Sequence, residues 1–161
     1  DAAAGSPETH RRLFADGKFF TPNGRAKFIF ETERPLPEAP DLEYPFLLNT
    51  GRGSVVQWHT QTRSGKVDML NRLRPAEAYI ELNPEDAEAF GVSEGAKIAV
   101  VSRRGRVVAD LKLDAGLRRG EVFMPMHYPE SNLLTYPAFD AYSFEPAYKA
   151  AAVRLEACPS E

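Results

Sequence analysis

The chain has 161 residues, of which 43% are apolar and 27% charged, and its formal net charge is -3. This length favours one domain with a buried core. The slight excess of acids excludes a global positive field that would attract nucleic acid or an anionic membrane. No apolar stretch of the sequence approaches the roughly 18 residues of a membrane-spanning helix. The single cysteine, Cys158, excludes an internal disulfide and a cysteine-rich metal or iron–sulfur site within this sequence.

Residues 1–40 are predicted to be an extension and linker that precede the main domain. The sequence begins without Met, and we expect it to be a fragment of a longer protein. Residues 19–30 contain Pro-Asn-Gly between apolar residues and predict a hairpin. Three prolines among acidic residues at 31–41 indicate a stiff linker. We therefore place the main domain at residues 41–157 and a tail at 158–161.

The segment Thr50-Gly51-Arg52 follows an apolar run at 46–49 that predicts a buried strand. A strand that ends in a glycine-containing loop with an arginine presents backbone N–H groups and a guanidinium to an anion. Thr50 adds a hydroxyl, Gly51 permits close approach of the backbone, and Arg52 is suited to hold a phosphate through two hydrogen bonds. The alternative interpretation is an ordinary β-turn with a solvated arginine.

The segments that follow predict short local elements. Residues 54–58 predict a short helical turn capped by Ser54, and the basic segment 63–75, which shows no periodicity, predicts a long loop. Residues 78–82 alternate like a strand. Asn83 as the cap, Pro84 at the first helical position and Gly91 at the end predict a short helix.

The second half of the sequence is rich in predicted strands. Residues 96–102 and 105–113 predict a hairpin, and further strands are predicted at 121–124 and 151–156. The total is six or seven short strands with one clear short helix. This pattern predicts a mainly β protein built as a closed β-barrel with minor helices.

Further polar and aromatic residues are candidates for the same site. Trp58 and His59 suit a planar ring system, although a core tryptophan beside a hydrogen-bonded histidine is the alternative. Met126 and His127 precede a loop that carries Asn132. The carboxamide of Asn132 matches the donor and acceptor edge of a pterin or purine, or it simply forms a turn.

Lys149 follows Tyr148 just before the last predicted strand, where its amine can pair with a phosphate or a ring carbonyl, or remain a surface lysine. Separate polar clusters on one small domain suggest a single elongated ligand bound at several points. We interpret that ligand as a nucleotide-bearing cofactor. His10, His59 and His127 are too far apart in sequence to form a metal motif.

Together these motifs, in this order, resemble the C-terminal molybdopterin-dinucleotide-binding domain of the molybdopterin oxidoreductase family. The similarity covers about residues 19–156 and is greatest to bacterial nitrate reductases of the assimilatory type. The motifs that carry it are Thr50-Gly51-Arg52, Gln57-Trp58-His59-Thr60, Asn83-Pro84-Glu85-Asp86-Ala87, Val101-Ser102-Arg103-Arg104-Gly105, Gly120-Glu121-Val122-Phe123-Met124-Pro125, Asn132-Leu133-Leu134-Thr135 and Tyr148-Lys149-Ala150-Ala151-Ala152-Val153.

The resemblance implies a double-psi β-barrel that binds molybdopterin guanine dinucleotide. It implies cofactor contacts from Thr50, Gly51, Arg52, Trp58, His59, Thr60, His127, Asn132, Tyr148 and Lys149, and it places Met126 near a substrate channel. It also implies that the full enzyme holds two such dinucleotides on molybdenum, and that the molybdenum ligand and any iron–sulfur cluster lie in other domains. We therefore expect no catalytic residue and no metal ligand in this chain, and no nitrate reduction by the chain alone.

The expected function is a cofactor-binding domain of a molybdenum oxidoreductase, namely a nitrate reductase of nitrate assimilation. A domain of a formate dehydrogenase-like enzyme is one alternative. A non-enzymatic double-psi barrel that binds other proteins, similar to the N-terminal domains of some AAA ATPases, is another. The expected partners are the remaining domains of the same polypeptide and an electron-donor protein or domain. We expect a cytoplasmic location, with the periplasm as the alternative.

Overall fold

The computed structural model describes residues 13–53, 56, 58, 61–141 and 143–158. The chain divides into two compact units, Asp1–Arg34 and Pro35–Glu161. The hairpin predicted at 19–30 is wrong, because residues 13–34 contain a turn and no strand. The Thr21 hydroxyl donates to Asn23 Oδ1 at 3.1 Å and to the Arg25 carbonyl at 2.7 Å. These local side-chain bonds close the turn and compete with strand pairing.

In the described part of the second unit, six strands form a closed barrel. They are β1 Phe46–Gly51, β2 Tyr79–Leu82, β3 Lys97–Val101, β4 Arg106–Leu113, β5 Glu121–Pro125 and β6 Ala150–Ala157. Their order around the barrel is β1-β5-β2-β4-β3-β6. The pairs β1–β5 and β2–β4 are parallel, and the other four are antiparallel. The architecture is a double-psi β-barrel, so the predicted fold is confirmed.

The described residues between these strands include two α-helices, α1 at Asp68–Arg72 and α2 at Pro84–Phe90. The predicted caps of α2 are confirmed: the Asn83 side chain accepts from the Glu85 N–H at 2.8 Å, and Gly91 has a φ of 74°. The long loop predicted at 63–75 is wrong in part, because it contains the 3-10 helix Ser64–Lys66 and α1. Helices this short show no readable periodicity. A further 3-10 helix spans Pro129–Leu133.

The core fills the inside of the barrel with aliphatic side chains. Alternation along β4 buries every second residue from Val107 to Leu111, as the period of two requires. Each fully buried aliphatic side chain contributes about 1.5–3 kcal/mol. The largest fully buried apolar residues are Leu48, Ile80, Leu82, Ile98, Val100, Leu111, Val122, Met124, Pro125, Leu134 and Val153.

A buried carboxylate attaches the segment before β1 to the barrel. The Glu38 side chain is 8% exposed, and its two oxygens accept from Arg104 at 2.8 and 2.7 Å. Glu38 also accepts from Arg103 at 3.2 Å and from the Ala152 N–H on β6 at 3.0 Å. The Arg104 hydrogen bond is the main reason that the pKa of Glu38 lies below its ordinary value, although burial opposes it.

We predict that Glu38→Gln lowers the free energy of unfolding by about 2–3 kcal/mol near neutral pH, because two arginines lose a buried charged partner. Chemical denaturation measures this loss. Glu88→Gln is the matched control, since Glu88 is exposed on α2, and we expect a change within about 0.5 kcal/mol for it. Equal unfolding free energies for wild type and Glu38→Gln would contradict the assignment.

The same contact predicts a pH dependence with a defined sign. Because folding lowers the pKa of Glu38, its stabilisation is fully present above the pKa of the unfolded chain and is lost as pH falls through the folded value. Glu38→Gln removes this contribution, so its stability is expected to fall less steeply in acid than that of wild type.

Candidate functional site

The parallel pairing of β1 and β5 brings two chain segments to one end of the barrel. Thr50 lies opposite Met124 and Gly51 opposite Pro125, and the Met126 N–H donates to the Gly51 carbonyl at 2.8 Å. The segments that follow the two strands therefore leave the barrel side by side.

The start of β6 reaches the same end because β6 runs antiparallel to β1. The Thr50 N–H donates to the Lys149 carbonyl at 3.1 Å, and the Thr50 hydroxyl donates to the Tyr148 carbonyl at 2.5 Å. Thr50 is buried, and its hydroxyl bond joins β1 to the segment just before β6. Lys149 is exposed, and its ammonium lies 5.0 Å from the centroid of the Tyr148 ring.

Close packing holds the loop that follows β1 against β5. The Tyr79 hydroxyl donates to the Gly53 carbonyl at 2.9 Å. A Cβ atom at Gly53 would lie 2.5 Å from the Tyr79 hydroxyl and 2.8 Å from Pro125 Cβ. One at Gly51 would lie 3.0 Å from the Phe123 ring. Glycine at position 53 therefore allows an approach that a side chain would block.

His127 is the most unusual polar group at this end. It is 8% exposed, and neither ring nitrogen has a hydrogen-bond partner among the described residues. Burial lowers the pKa of His127, and the charges of Arg52 and Arg74 lower it further. The imidazole is therefore neutral near neutral pH, with one unused donor and one unused acceptor. An unpartnered buried polar group costs free energy, and a bound ligand would remove that cost.

The segment that carries Arg52 and Arg74 has an excess of basic residues. Residues 52–74 contain five basic residues and one acid, Asp68. The ion pairs of the described residues involve other arginines and lysines, such as Arg103, Arg104 and Arg119. The bases of this segment are Arg52, Arg63, Lys66, Arg72 and Arg74. Of these, the charges of Arg52 and Arg74 act on His127, and two cations with a neutral donor group form a suitable site for an anion such as a phosphate.

Trp58 lies beside this cluster on the loop that follows β1. Trp58 is 55% exposed, and its backbone N–H donates to the buried Ser64 hydroxyl at 3.0 Å. Its carbonyl accepts from the N–H of Gln61, whose side chain reaches the His127 carbonyl at 3.5 Å. Trp58 also lines a cleft of about 410 Å³ together with Val56, Arg63, Ser64, Val67 and Leu70. His59, Thr60 and the predicted Ser54 cap lie outside the described residues.

Asn132 is exposed on the 3-10 helix Pro129–Leu133. The turn between β3 and β4 holds this segment, because Arg104 donates to the Leu134 carbonyl at 3.2 and 2.8 Å. Within the described ranges, no hydrogen bond joins Asn132 to the residues around His127. The residues that the structure does bring together at the strand ends are Thr50, Gly51, Arg52, Met126, His127, Tyr148 and Lys149.

Sequence reasoning missed four residues of this region: Gly53, Arg74, Tyr79 and Tyr128. The basic character of 63–75 was a signal for Arg74. The tyrosine hydroxyls donate hydrogen bonds to backbone carbonyls far away in sequence. Such hydrogen bonds leave no local sequence pattern. In the part of the chain that the structure covers, no group of three or more His, Cys, Asp or Glu is arranged to hold a metal. The helices described there are all too short or too polar to cross a membrane.

Comparisons with known proteins show which family and fold this chain resembles. The family model "Molydopterin dinucleotide binding domain" matches residues 46–152. The F420-dependent formate dehydrogenase subunit alpha of Methanocaldococcus jannaschii is 37% identical over 90% of the chain and 22% of its own length. A nitrate reductase of Symbiobacterium thermophilum is 38% identical over 84% of the chain and 18% of its own length.

Among solved structures, acetylene hydratase from Pelobacter acetylenicus superposes with a TM-score of 0.59, over 72% of this chain and 19% of its own. Its sequence identity of 19% supports the fold alone. The chain spans about a fifth of the length of the curated relatives that it matches.

We predict that Gly53→Ala lowers the free energy of unfolding by about 1–3 kcal/mol, because the added methyl group overpacks against Pro125 and the Tyr79 hydroxyl. Thermal and urea unfolding measure the loss. Gly65→Ala is the control, since its methyl group would meet only the Gln61 side chain, at 3.3 Å. An unchanged stability of Gly53→Ala would show that the loop is not packed as described.

Proposed function

The chain belongs to the Molydopterin dinucleotide binding domain family, and from this premise we propose that its strand ends bind the phosphate-bearing part of molybdopterin guanine dinucleotide. The observation that carries the proposal is the buried His127, whose ring nitrogens have no partner among the described residues and which lies beside two cations. A pyrophosphate offers acceptors for the imidazole N–H and negative charge for the arginines. A protein-interaction module has no need of such a group.

Each residue at the strand ends has a proposed part in this binding. Arg52 and Lys149 neutralise the pyrophosphate, and Gly51 lets the backbone approach it. His127 donates a hydrogen bond to it. The carboxamide of Asn132 and the imidazole of His59 hold the edges of the rings.

The remaining predicted residues contact the same ligand in this proposal. Trp58, Thr60 and Tyr148 contact the dinucleotide, and Met126 lies near the substrate channel. When bound, the molybdenum cofactor supplies the redox chemistry. This chain supplies binding, orientation and a local positive field. We assign no catalytic residue and no metal ligand to it.

We further propose that the domain works as part of a larger molybdenum oxidoreductase, because its relatives are about five times longer. The order of the motifs favours a nitrate reductase of nitrate assimilation. The 37% identity to a formate dehydrogenase subunit makes formate oxidation the second candidate. In this proposal the molybdenum ligand, any iron–sulfur cluster and the contact with the electron donor lie in other domains. The location is cytoplasmic, and the chain alone does not turn over substrate.

We predict that the chain binds guanosine diphosphate and that Arg52→Ala weakens this binding by about tenfold or more, the effect of losing one charge-assisted contact of about 1.4 kcal/mol. Isothermal titration calorimetry at fixed salt measures both affinities. The matched control is Arg118→Ala. Arg118 is exposed on the turn before β5, at the opposite end of that strand from Pro125.

We expect Arg118→Ala to bind as wild type does, although it removes the same charge. Equal weakening by both substitutions would indicate general attraction to the surface rather than a site. Equal affinity of Arg52→Ala and wild type would refute the assignment of Arg52.

A further inference from the structure

One pair of buried tyrosines holds both ends of the long loop between β1 and β2. The Tyr79 hydroxyl donates to the Gly53 carbonyl at 2.9 Å, and the Tyr128 hydroxyl donates to the Pro75 carbonyl at 2.8 Å. The two rings meet edge to face, with centroids 6.0 Å apart and an interplanar angle of 74°. Each tyrosine is 4% exposed. The loop is therefore closed at both ends by one aromatic contact.

The closure places the arginines at the two ends of the loop. Arg52 directly precedes Gly53, Arg74 directly precedes Pro75, and His127 directly precedes Tyr128. The charges of both arginines act on His127, and that of Arg74 also acts on Tyr128. The Nε atom of Arg74 is buried and has no hydrogen-bond partner among the described residues. The charges of two cations from positions 22 residues apart thus act on one imidazole.

We propose that Arg74 completes an anion-binding site with Arg52 and His127, and that Tyr79 and Tyr128 are positioning residues that hold the two arginines there. The ligand class is a phosphate or pyrophosphate group. The proposal rests on the proposed function only for the identity of the molecule that carries this group. The positioning itself is a property of the chain without any ligand.

The tyrosines are needed because the positive charges of Arg52 and Arg74 repel each other. Without an anion, like charges near one imidazole tend to move apart. Two hydroxyl bonds to the backbone oppose this movement on either side of the loop. Burial, with smaller effects from Glu81 and Tyr128, raises the pKa of Tyr79 to about 12. Burial also raises the pKa of Tyr128, so both hydroxyls remain donors near neutral pH.

The contacts around the tyrosines complete this arrangement. The Lys112 ammonium lies 3.5 Å from the Tyr79 ring centroid, which fixes the ring from β4. Glu130 and Glu77 are the acids that act on Tyr128. The causes of the lowered pKa of His127 include burial, Arg52 and Arg74 and no acid. A site that is preorganised in this way loses little freedom when the anion binds.

The experiment measures the His127 pKa by NMR titration of the full chain without ligand, with the resonance assigned through His127→Gln. In wild type we expect a pKa below the ordinary histidine value. Arg74→Ala, Tyr79→Phe and Tyr128→Phe should each raise it. Tyr44→Phe is the control, because Tyr44 is also buried but packs under Arg103, with a guanidinium-to-ring distance of 4.3 Å. It should leave the His127 pKa unchanged.

A double-variant cycle separates positioning from general loosening. If Tyr128 acts by holding Arg74, then Tyr128→Phe adds no further rise in the His127 pKa on the Arg74→Ala background. Tyr79→Phe likewise adds none on the Arg52→Ala background. Full additivity in both cycles would overturn the positioning role. Pyrophosphate affinity, measured in the same proteins, should fall about tenfold in Arg74→Ala and less in the tyrosine variants.

Two further outcomes decide between the proposals. An unchanged His127 pKa and an unchanged pyrophosphate affinity in Arg74→Ala would overturn the inference even if the tyrosine variants fail to fold. If wild type binds neither pyrophosphate nor guanosine diphosphate while the substitutions move the His127 pKa as expected, the positioning stands and the proposed function fails.

Discussion

The parallel pairing of β1 with β5 is the constraint on which the rest of this end of the barrel depends. If β1 and β5 were antiparallel, as in a hairpin, their carboxyl ends would lie at opposite ends of the barrel. Parallel pairing instead places Gly51 beside Pro125, so that the loops that carry Arg52 and His127 begin next to each other. Parallel strands need a long crossover. The chain between β1 and β5 spans residues 52–120, and its first part, residues 52–78 before β2, carries Arg52 and Arg74.

Local signals predicted the elements that depend on local bonds. The helix α2 has its cap, its first-turn proline and its terminal glycine where the sequence indicates them, and the β3–β4 hairpin forms around Arg103-Arg104-Gly105. The Pro-Asn-Gly segment at 22–24 failed for an equally local reason. There the Thr21 hydroxyl bonds to Asn23 and Arg25 satisfy the turn without any strand pairing. Turn residues predict a change of direction, and a sheet also requires a partner strand.

The site was predictable only where its residues carry charge or follow a strand. Arg52, His127 and Lys149 were found because each stands next to a strand end. Tyr79 and Tyr128 were missed because their function is a hydroxyl bond to a carbonyl 26 or 53 residues away. Every residue has a backbone carbonyl, so a hydrogen bond to one leaves no pattern in the sequence. The sequence marked the segment 63–75 as basic but did not single out Arg74, because only the fold brings its charge to act on His127.

The arginines of the barrel lie in two different kinds of environment. Arg103 and Arg104 bind Glu38, and Arg104 also donates to the Leu134 carbonyl, so these charges join the segment before β1, the β3–β4 turn and the loop after Asn132. Arg52 and Arg74 have no such acid among the described residues and instead lower the pKa of a buried imidazole. A fold selected for stability alone would be expected to pair these cations or to give His127 a partner. Keeping both unsatisfied at one end lowers the stability of the free chain, and in the proposed function the binding of an anion recovers it.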